Sequence, residues 1–190
     1  MEFQGWTEEI EAQEKRVRGE TEKLLAMYRK QAPQKIKDYT LQTLNGPKTL
    51  SSMFGEKKEL ILWHNMGTKC VYCTLWGDGF NGFTDHIQSR AAFVMVNGDD
   101  VATQNEFAKS RGWRFPMASS QGTTLGADLH FSKPGDSMHH PGLSILTKDA
   151  SGQMYVNTAA PFGPGDIYCS IFNVIGMLPS DTDWEPKYKY

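Results

Sequence analysis

Residues 59–83, ELILWHNMGTKCVYCTLWGDGFNGF, contain the pattern that decides the fold. The stretch opens with an apolar run at 60–63, which has the length of a buried strand and ends in polar residues and glycine. Cys70 and Cys73 follow, and the sequence behind them is compatible with a helix. A strand, a tight loop and a Cys-x-x-Cys pair that opens a helix form the layout of a dithiol redox site.

The predicted position of Cys70 favours an ionised thiol. Backbone N–H groups at the start of a helix have no partner within the helix, and together with the helix dipole they stabilise an anion. The thiolate, which is the nucleophilic form of cysteine, is therefore stabilised there. Lys69, immediately before Cys70, adds a positive charge of the right sign.

Two other interpretations of the cysteine pair remain open. A closed zinc site takes four ligands, whereas this chain has three cysteines and no second pair. A structural role is the second interpretation, because a free cysteine often behaves as a small buried apolar side chain. Cys169 falls in the last predicted helix, where we expect a packed core thiol rather than a third member of the site.

Length and charge restrict the class of protein. The 190 residues suit one domain with some decoration, and a net charge of −2 argues against nucleic acid and anionic membranes as partners. No apolar run approaches the ~18 residues of a membrane-spanning helix, and residues 1–16 lack the apolar core of a secretory signal. We therefore expect a cytoplasmic protein without a membrane partner, a setting in which three cysteines indicate a redox pair rather than a disulfide scaffold.

Residues 7–31 are predicted to form one helix. Thr7 is a candidate N-cap, and Pro33 ends the helical run. The helix carries a narrow apolar stripe at Ile10, Val17, Leu24, Leu25 and Tyr28. The stripe indicates packing across the domain or against a partner subunit in a homodimer, and a solvated helix with one apolar face is the alternative.

The remaining segments follow the order of an α/β domain. Residues 39–44 form a weak strand, Asn45-Gly46 is a strong hairpin turn signal, and residues 49–55 predict one helical turn. Downstream we predict a strand at 92–96, a helix at 100–111, a short edge strand at 115–119, a turn-rich connection at 121–142, strands at 143–147 and 154–158, and a last helix at 165–177.

The helix behind the cysteines is predicted over 74–89. Its apolar residues recur at near-helical spacing, and its aromatic residues are expected in the core. Gly77, Gly79 and Gly82 each weaken a straight helix by about 1 kcal/mol relative to alanine. We therefore predict a kinked or interrupted helix.

A parallel βαβ unit followed by an antiparallel ββα unit is the thioredoxin-like arrangement. The sequence thus predicts an α/β protein with a thioredoxin-like fold, in which helices flank a central mixed sheet and an N-terminal helix and a β-hairpin are extensions. The predicted organisation is an N-terminal helical extension at 1–36, the thioredoxin-like domain at 37–180 and a C-terminal tail at 181–190.

Three blocks of sequence resemble one protein family. They are LILWHNMGTKCVYCTLWGDGFNG at 60–82, FAKSRGWRFPMASS at 107–120 and HPGLSILTKDASGQMY at 140–155. In this order they resemble the thioredoxin-like family of bacterial proteins called domain of unknown function 899 (DUF899), which is related to thioredoxin- and peroxiredoxin-like oxidoreductases. The resemblance implies that Cys70 is the exposed nucleophilic cysteine and Cys73 the resolving one.

The chain also departs from its better-known relatives. Val71 and Tyr72 replace the Gly-Pro commonly found between thioredoxin cysteines. Pro141 falls near the cis-proline that faces the dithiol in thioredoxins, but Gly142 separates it from its strand. Thr68 is near the cysteines at a spacing that differs from the peroxiredoxin pattern, so peroxide reduction rests on analogy of fold.

Histidines are the second group of candidate site residues. His64 ends the first core strand, and His139 and His140 precede a later strand at the sheet edge expected to face the cysteines. A histidine in either place is a candidate for orienting or transferring a proton near Cys70, with His64 and His140 as the choices. Exposed loop histidines without such a role are the alternative.

The same residues resemble a copper site. In the copper-chaperone members of the thioredoxin superfamily, two cysteines of a short motif and a histidine before a later strand bind the metal. Here Cys70, Cys73 and His140, or its neighbour His139, would form that set, and thiolate and imidazole ligands suit copper. Thioether ligands also suit copper, and Met66 and Met138 are close to these residues in the sequence. The gap between the cysteines is one residue shorter than in the copper proteins.

We therefore predict a thiol–disulfide oxidoreductase that acts on protein or small-molecule thiols and disulfides and needs no bound cofactor. Cys70 attacks and Cys73 resolves the mixed disulfide. The alternative is a protein that binds copper or another soft metal, and a weaker alternative is a thiol peroxidase. The remaining hypothesis is a thioredoxin-like binding module whose cysteines do no turnover.

Overall fold

The computed structural model describes residues 5–135, 139–180 and 184–189. Its helices are α1 (Glu8–Arg29), α2 (Val71–Arg90), α3 (Val101–Arg111), α4 (Leu125–Asp128) and α5 (Ile171–Ile175), with a 3-10 turn at Ser51–Phe54. Its strands are β1 (Gln34–Ile36), β2 (Thr40–Thr43), β3 (Gly46–Thr49), β4 (Glu59–His64), β5 (Ala92–Asn97), β6 (Met117–Ser119), β7 (Gly142–Lys148) and β8 (Met154–Pro161).

All of these strands form one mixed sheet in the order β1-β8-β7-β4-β5-β6-β2-β3. Strands β4, β5 and β6 are parallel, and the other neighbouring strands are antiparallel. Helix α2 connects β4 to β5, and α3 connects β5 to β6, so both crossovers are helical. This confirms the predicted thioredoxin-like α/β fold with a central mixed sheet and flanking helices.

Alternation along the central strands divides the core between the two faces of the sheet. Leu60 and Leu62 of β4 belong to one buried cluster, while Trp63 belongs to the other. The first cluster is closed by the β2–β3 hairpin, the 3-10 turn and α4. The second is closed by α2 and the segment after β8, where Cys169 is buried as predicted. Trp76 and Phe80 of α2 pack in this second cluster, as expected, whereas Phe83 is exposed, so its predicted place in the core is wrong.

Helix α2 is continuous from Val71 to Arg90, so the predicted interruption is wrong. Gly77 is buried, and a Cβ atom built on it would lie 2.4 Å from Cζ2 of Trp113. The glycine therefore lets the Trp113 ring pack directly on the helix backbone. Nothing lies within 4 Å of the same position at Gly79 or Gly82. Tertiary packing thus offsets the weak helical propensity of the glycines.

Two other predicted elements differ from the structure. The segment at 115–119 contains β6, which is not an edge strand because β2 pairs with it on the side away from β5. The last helix, predicted at 165–177, is reduced to α5. The backbone at Gly165 has φ +85°, and the Asp166 carboxylate accepts hydrogen bonds from the N–H groups of Gly163 and Tyr168, so this segment forms a turn.

The N-terminal helix begins and ends close to the prediction. The Thr7 hydroxyl accepts a hydrogen bond from the N–H of Ile10 at 3.2 Å, which confirms the N-cap. No residue of α1 is buried, and Ile10 and Val17 are 48% and 56% exposed. The short strand β1, which was not predicted, follows α1 and pairs with β8. In the described part of the chain no helix has the length and apolarity to span a membrane.

Candidate active site

The Cys70 side chain caps the N-terminus of α2, which is the position predicted from the sequence. The backbone of Cys70 is extended, at φ −101° and ψ 105°, which turns its sulfur toward the first turn of the helix. The sulfur accepts a hydrogen bond from the N–H of Cys73 at 3.1 Å. The hydroxyl of Thr74 donates to the Cys70 carbonyl at 3.0 Å and fixes the backbone of the cap. Cys70 is half-buried, whereas Cys73 is fully buried.

The loop between β4 and α2 is held by side chains at the end of β5. The N–H of Thr68 donates to the Asp99 carboxylate at 2.8 Å. Gly67 has φ +96°, and a Cβ atom built on it would lie 2.7 Å from the same carboxylate, so glycine is required there. The Asn65 side chain accepts a hydrogen bond from the N–H of Gly67. These contacts fix the loop that precedes Cys70 between the ends of the neighbouring strands β4 and β5.

The pKa values of the two cysteines are shifted in opposite directions. A hydrogen bond from the Cys73 thiol lowers the pKa of Cys70 to about 6, assisted by the backbone N–H groups of Cys73 and Tyr72 and opposed by partial burial. The same hydrogen bond, together with burial, raises the pKa of the Cys73 thiol. The Cys73 sulfur also accepts a hydrogen bond from the N–H of Met66 at 3.4 Å. Cys70 is therefore the thiolate near neutral pH and Cys73 the thiol.

His64 lies in a buried network of hydrogen bonds. Its Nδ1 is 3.0 Å from Nδ1 of His139, and its Nε2 is 2.9 Å from the hydroxyl of Ser144. The ring of Phe131 stacks on that of His64 with the centroids 3.8 Å apart. Burial, and the nearby His139, hold the pKa of His64 well below its ordinary value. Both ring nitrogens of His64 are thus directed at residues other than the cysteines.

The neighbours of His139 determine the direction of these hydrogen bonds. The Ser120 hydroxyl donates to the carbonyl of Asn97, so its oxygen accepts from Nε2 of His139 at 2.8 Å. Nδ1 of His139 is then the acceptor for the Nδ1–H of His64, and Nε2 of His64 accepts from Ser144. Both rings are neutral in this arrangement, and each of their four nitrogens has a donor or acceptor partner.

The predicted histidines and sulfurs do not form one cluster. The structure joins Cys70 to Cys73 and His64 to His139, while His140 is exposed. Across the described ranges no group of three or more histidine, cysteine or acidic residues is arranged to hold a metal ion. The described residues therefore do not provide the predicted copper ligands as a set, and Met138 lies outside them. Copper binding stays a prediction.

The peptide bond before Pro141 is trans, because no cis peptide bond occurs in the described segments.

Several contacts at the site were not predicted. Asp99 and Asn97 support the cysteine loop, a role that the signal of polar residues directly after a strand could have indicated. Tyr188, from the C-terminal tail, has a pKa raised by burial and by the nearby Cys70 and Cys73. Nothing in the tail sequence indicated that position.

The family comparison agrees with the resemblance in the sequence. The model of the family described as "Bacterial protein of unknown function (DUF899)" matches residues 1–179. The search among curated proteins gives no match.

Solved structures with a similar fold include several peroxiredoxins. Peroxidoxin BcpB from Mycobacterium tuberculosis is 21% identical, with a TM-score of 0.56 over 76% of this chain and 97% of that chain. The mitochondrial 2-Cys peroxiredoxin of Plasmodium falciparum is 16% identical, with a TM-score of 0.56 over 75% and 90%. A cysteine-to-serine variant of PrxQ from Xylella fastidiosa is 14% identical, with a TM-score of 0.58 over 76% and 94%. At these identities the similarity establishes the fold.

Proposed function

The chain belongs to the DUF899 family, and from its site we propose that it is a thiol–disulfide oxidoreductase with Cys70 as nucleophile and Cys73 as resolving residue. The observation that carries this proposal is the hydrogen-bonded pair at the start of α2. Cys70 combines partial exposure with a pKa lowered to about 6, and its partner Cys73 is protonated and buried directly behind it. A purely structural pair would not need this difference.

The first step is attack on a disulfide by the Cys70 thiolate. A bond forms between the Cys70 sulfur and one sulfur of the substrate, the substrate S–S bond breaks, and its other sulfur leaves as a thiolate that takes a proton from solvent. Cys70 suits this step because a pKa near the ambient pH combines a large thiolate fraction with good nucleophilicity.

The second step is attack by Cys73 on the mixed disulfide. Cys73 loses its proton, its sulfur bonds to that of Cys70, and the substrate thiol leaves with the electrons of the broken bond. Its raised pKa arises partly from the hydrogen bond to Cys70, and that bond is lost when Cys70 is in the mixed disulfide. Cys73 thus becomes easier to ionise at the stage when it must attack. A thiol reductant then reduces the Cys70–Cys73 disulfide and restores the dithiol.

Peroxide reduction is the second candidate, and the peroxiredoxin fold of the similar structures favours it. Here the Cys70 thiolate attacks the peroxide O–O bond, the sulfur becomes a sulfenic acid, and the alkoxide or hydroxide leaves and takes a proton. Cys73 then condenses with the sulfenic acid and releases water. Each pathway produces the same intramolecular disulfide, so the oxidant distinguishes them.

The distinguishing experiment uses Cys73→Ser, which removes the resolving sulfur. With bis(2-hydroxyethyl) disulfide, we expect this variant to retain one substrate thiol on Cys70, detected by mass spectrometry and released by dithiothreitol. Cys169→Ala, which changes the buried cysteine that is not part of the pair, is the matched control and should turn over normally. With hydrogen peroxide, sulfenic acid at Cys70 within seconds supports the peroxidase.

If Cys73→Ser forms neither the mixed disulfide nor the sulfenic acid, both proposed activities are contradicted. An adduct that also forms on Cys70→Ser would assign the reactivity to another thiol.

A proton-transfer role of His64 or His140, a cytoplasmic location and thiol or disulfide partners without nucleic acid are proposals that accompany this function. The exposed positions Ile10, Val17 and Leu24 recur every seven residues along α1, so they share one face of the helix. We retain the proposal that this face joins two copies of the chain, and the mass of the protein in solution tests it.

A further inference from the structure

The C-terminal tail packs beside the cysteine pair. At one end, the ring of Trp184 meets that of Phe172 edge-on, with the centroids 6.1 Å apart. Phe172 in turn stacks on Tyr72, which lies between the two cysteines, and contacts Trp76 one turn later in α2. Trp184 is half-buried and Pro186 is buried, so this part of the tail is packed rather than solvated.

The other end of the tail is attached to α3. The carbonyl of Tyr188 accepts a hydrogen bond from the Arg111 guanidinium at 2.6 Å, and the Tyr188 ring meets Phe107 edge-on at 6.4 Å. The same guanidinium forms an ion pair with Asp78 of α2. Both ends of the tail are therefore attached through residues that contact α2, the Trp184 end near its first turn and the Tyr188 end at Asp78.

Tyr188 lies within electrostatic reach of both sulfurs. Its phenol pKa is raised first by burial and then by negative charge on Cys70 and Cys73. Tyr188 is 39% exposed, and the Tyr188 carbonyl is linked to α2 through the Arg111 guanidinium, which pairs with Asp78. The tail is therefore joined to the start of α2 by the ring contacts of Trp184 with Phe172 and of Phe172 with Tyr72, two residues after Cys70.

We propose that residues 184–188 form a wall beside Cys70 that selects small disulfides or peroxides and excludes disulfides of folded proteins. The inference rests on the proposed function, whose substrate class it specifies. A small disulfide needs room for three sulfur atoms in line, whereas a protein must also place its surrounding surface against the nucleophile. Specific protein contacts typically cover several hundred Å² per partner, and an attached tail occupies part of that area.

The test compares the full-length protein with the double variant W184A/Y188A, which removes both aromatic contacts of the tail. The double variant E185A/K189A changes exposed residues of the same tail and is the matched control. Two rate ratios are measured on reduced protein: alkylation of Cys70 by iodoacetamide against a polymer-linked maleimide, and reduction of bis(2-hydroxyethyl) disulfide against insulin. Mass spectrometry assigns the alkylated cysteine, and thermal unfolding confirms that each variant is folded.

We expect W184A/Y188A to raise the rates with the polymer-linked maleimide and insulin by roughly tenfold, and those with the small reagents by less than about twofold. E185A/K189A should leave both ratios at the wild-type value. Equal changes for small and large reagents, or no change, would overturn the proposed wall. A changed alkylation ratio without reduction of either disulfide would support the wall and contradict the disulfide-reductase function.

Discussion

Cys70 and Cys73 are chemically identical residues that their surroundings make different. Cys70 is at the helix cap, where backbone N–H groups and the Cys73 thiol all donate toward its sulfur. Cys73, three residues later, faces the interior and has no exposure to solvent. The spacing in the sequence predicted which sulfur would be at the helix front. The depth of Cys73 depends on the packing of α2 against the sheet, which spacing does not determine.

His64 provides a prediction at the same scale, about stability and pH. Because burial and His139 keep its folded pKa well below 6.5, the unfolded chain binds more protons below that pH. The contribution of His64 to the free energy of unfolding is fully present above pH 6.5 and is lost as the pH falls below it. We expect the free energy of unfolding in urea to be about 1 kcal/mol lower near pH 5.5 than near pH 7.5.

The control for this prediction changes an exposed histidine instead. His64→Gln should reduce the difference between the two pH values, whereas His86→Gln should preserve it. An unchanged difference in His64→Gln would show that the buried histidine pair is not its source.

The histidine pair also shows what sequence reasoning misses at the residue scale. His64 and His139 were both candidates, but as partners of the sulfurs rather than of each other. Their contact arises because β7, which follows His139, pairs antiparallel with β4, so Gly142 lies opposite His64. Residues 121–142 have no periodic pattern from which that register could be predicted.

At the scale of elements, α2 shows how one contact overrides propensity. Three glycines predicted a broken helix, yet the helix is continuous for 20 residues. Gly77 is a site of close packing against Trp113, while Gly79 is exposed with open space around it. Sequence reasoning counts glycines equally, because it has no access to the partner that each one faces.

These two glycines provide a matched pair of substitutions. Gly77→Ala should lower the free energy of unfolding by roughly 1–3 kcal/mol, since its Cβ would overlap the indole of Trp113. Gly79→Ala should raise it by about 0.5–1 kcal/mol, because alanine restricts the unfolded chain and meets no neighbour. Urea denaturation of both variants measures the difference, and equal effects of the two substitutions would contradict the packing argument.

At the scale of the whole molecule, the order of elements was predicted better than their neighbours in the sheet. The βαβ and ββ units follow from apolar runs and turn residues, and the sheet confirms them. The hairpin β2–β3 was expected as an extension, but its pairing with β6 makes it an integral edge of the sheet. The pairing of β1 with β8 closes the other edge with a strand of three residues, too short for a periodic signal.

The central claim is that the fold activates Cys70 by presenting it at the start of α2 with Cys73 as its hydrogen-bond donor. The most direct test is a pH titration of thiolate absorbance near 240 nm in the reduced protein, with Cys70→Ser as the variant that lacks the transition. We predict a midpoint at about pH 6 in the wild type, and a higher midpoint in Cys73→Ala, where the donor is lost. A wild-type midpoint near the ordinary cysteine value of about 8.5, unchanged in Cys73→Ala, would contradict the account.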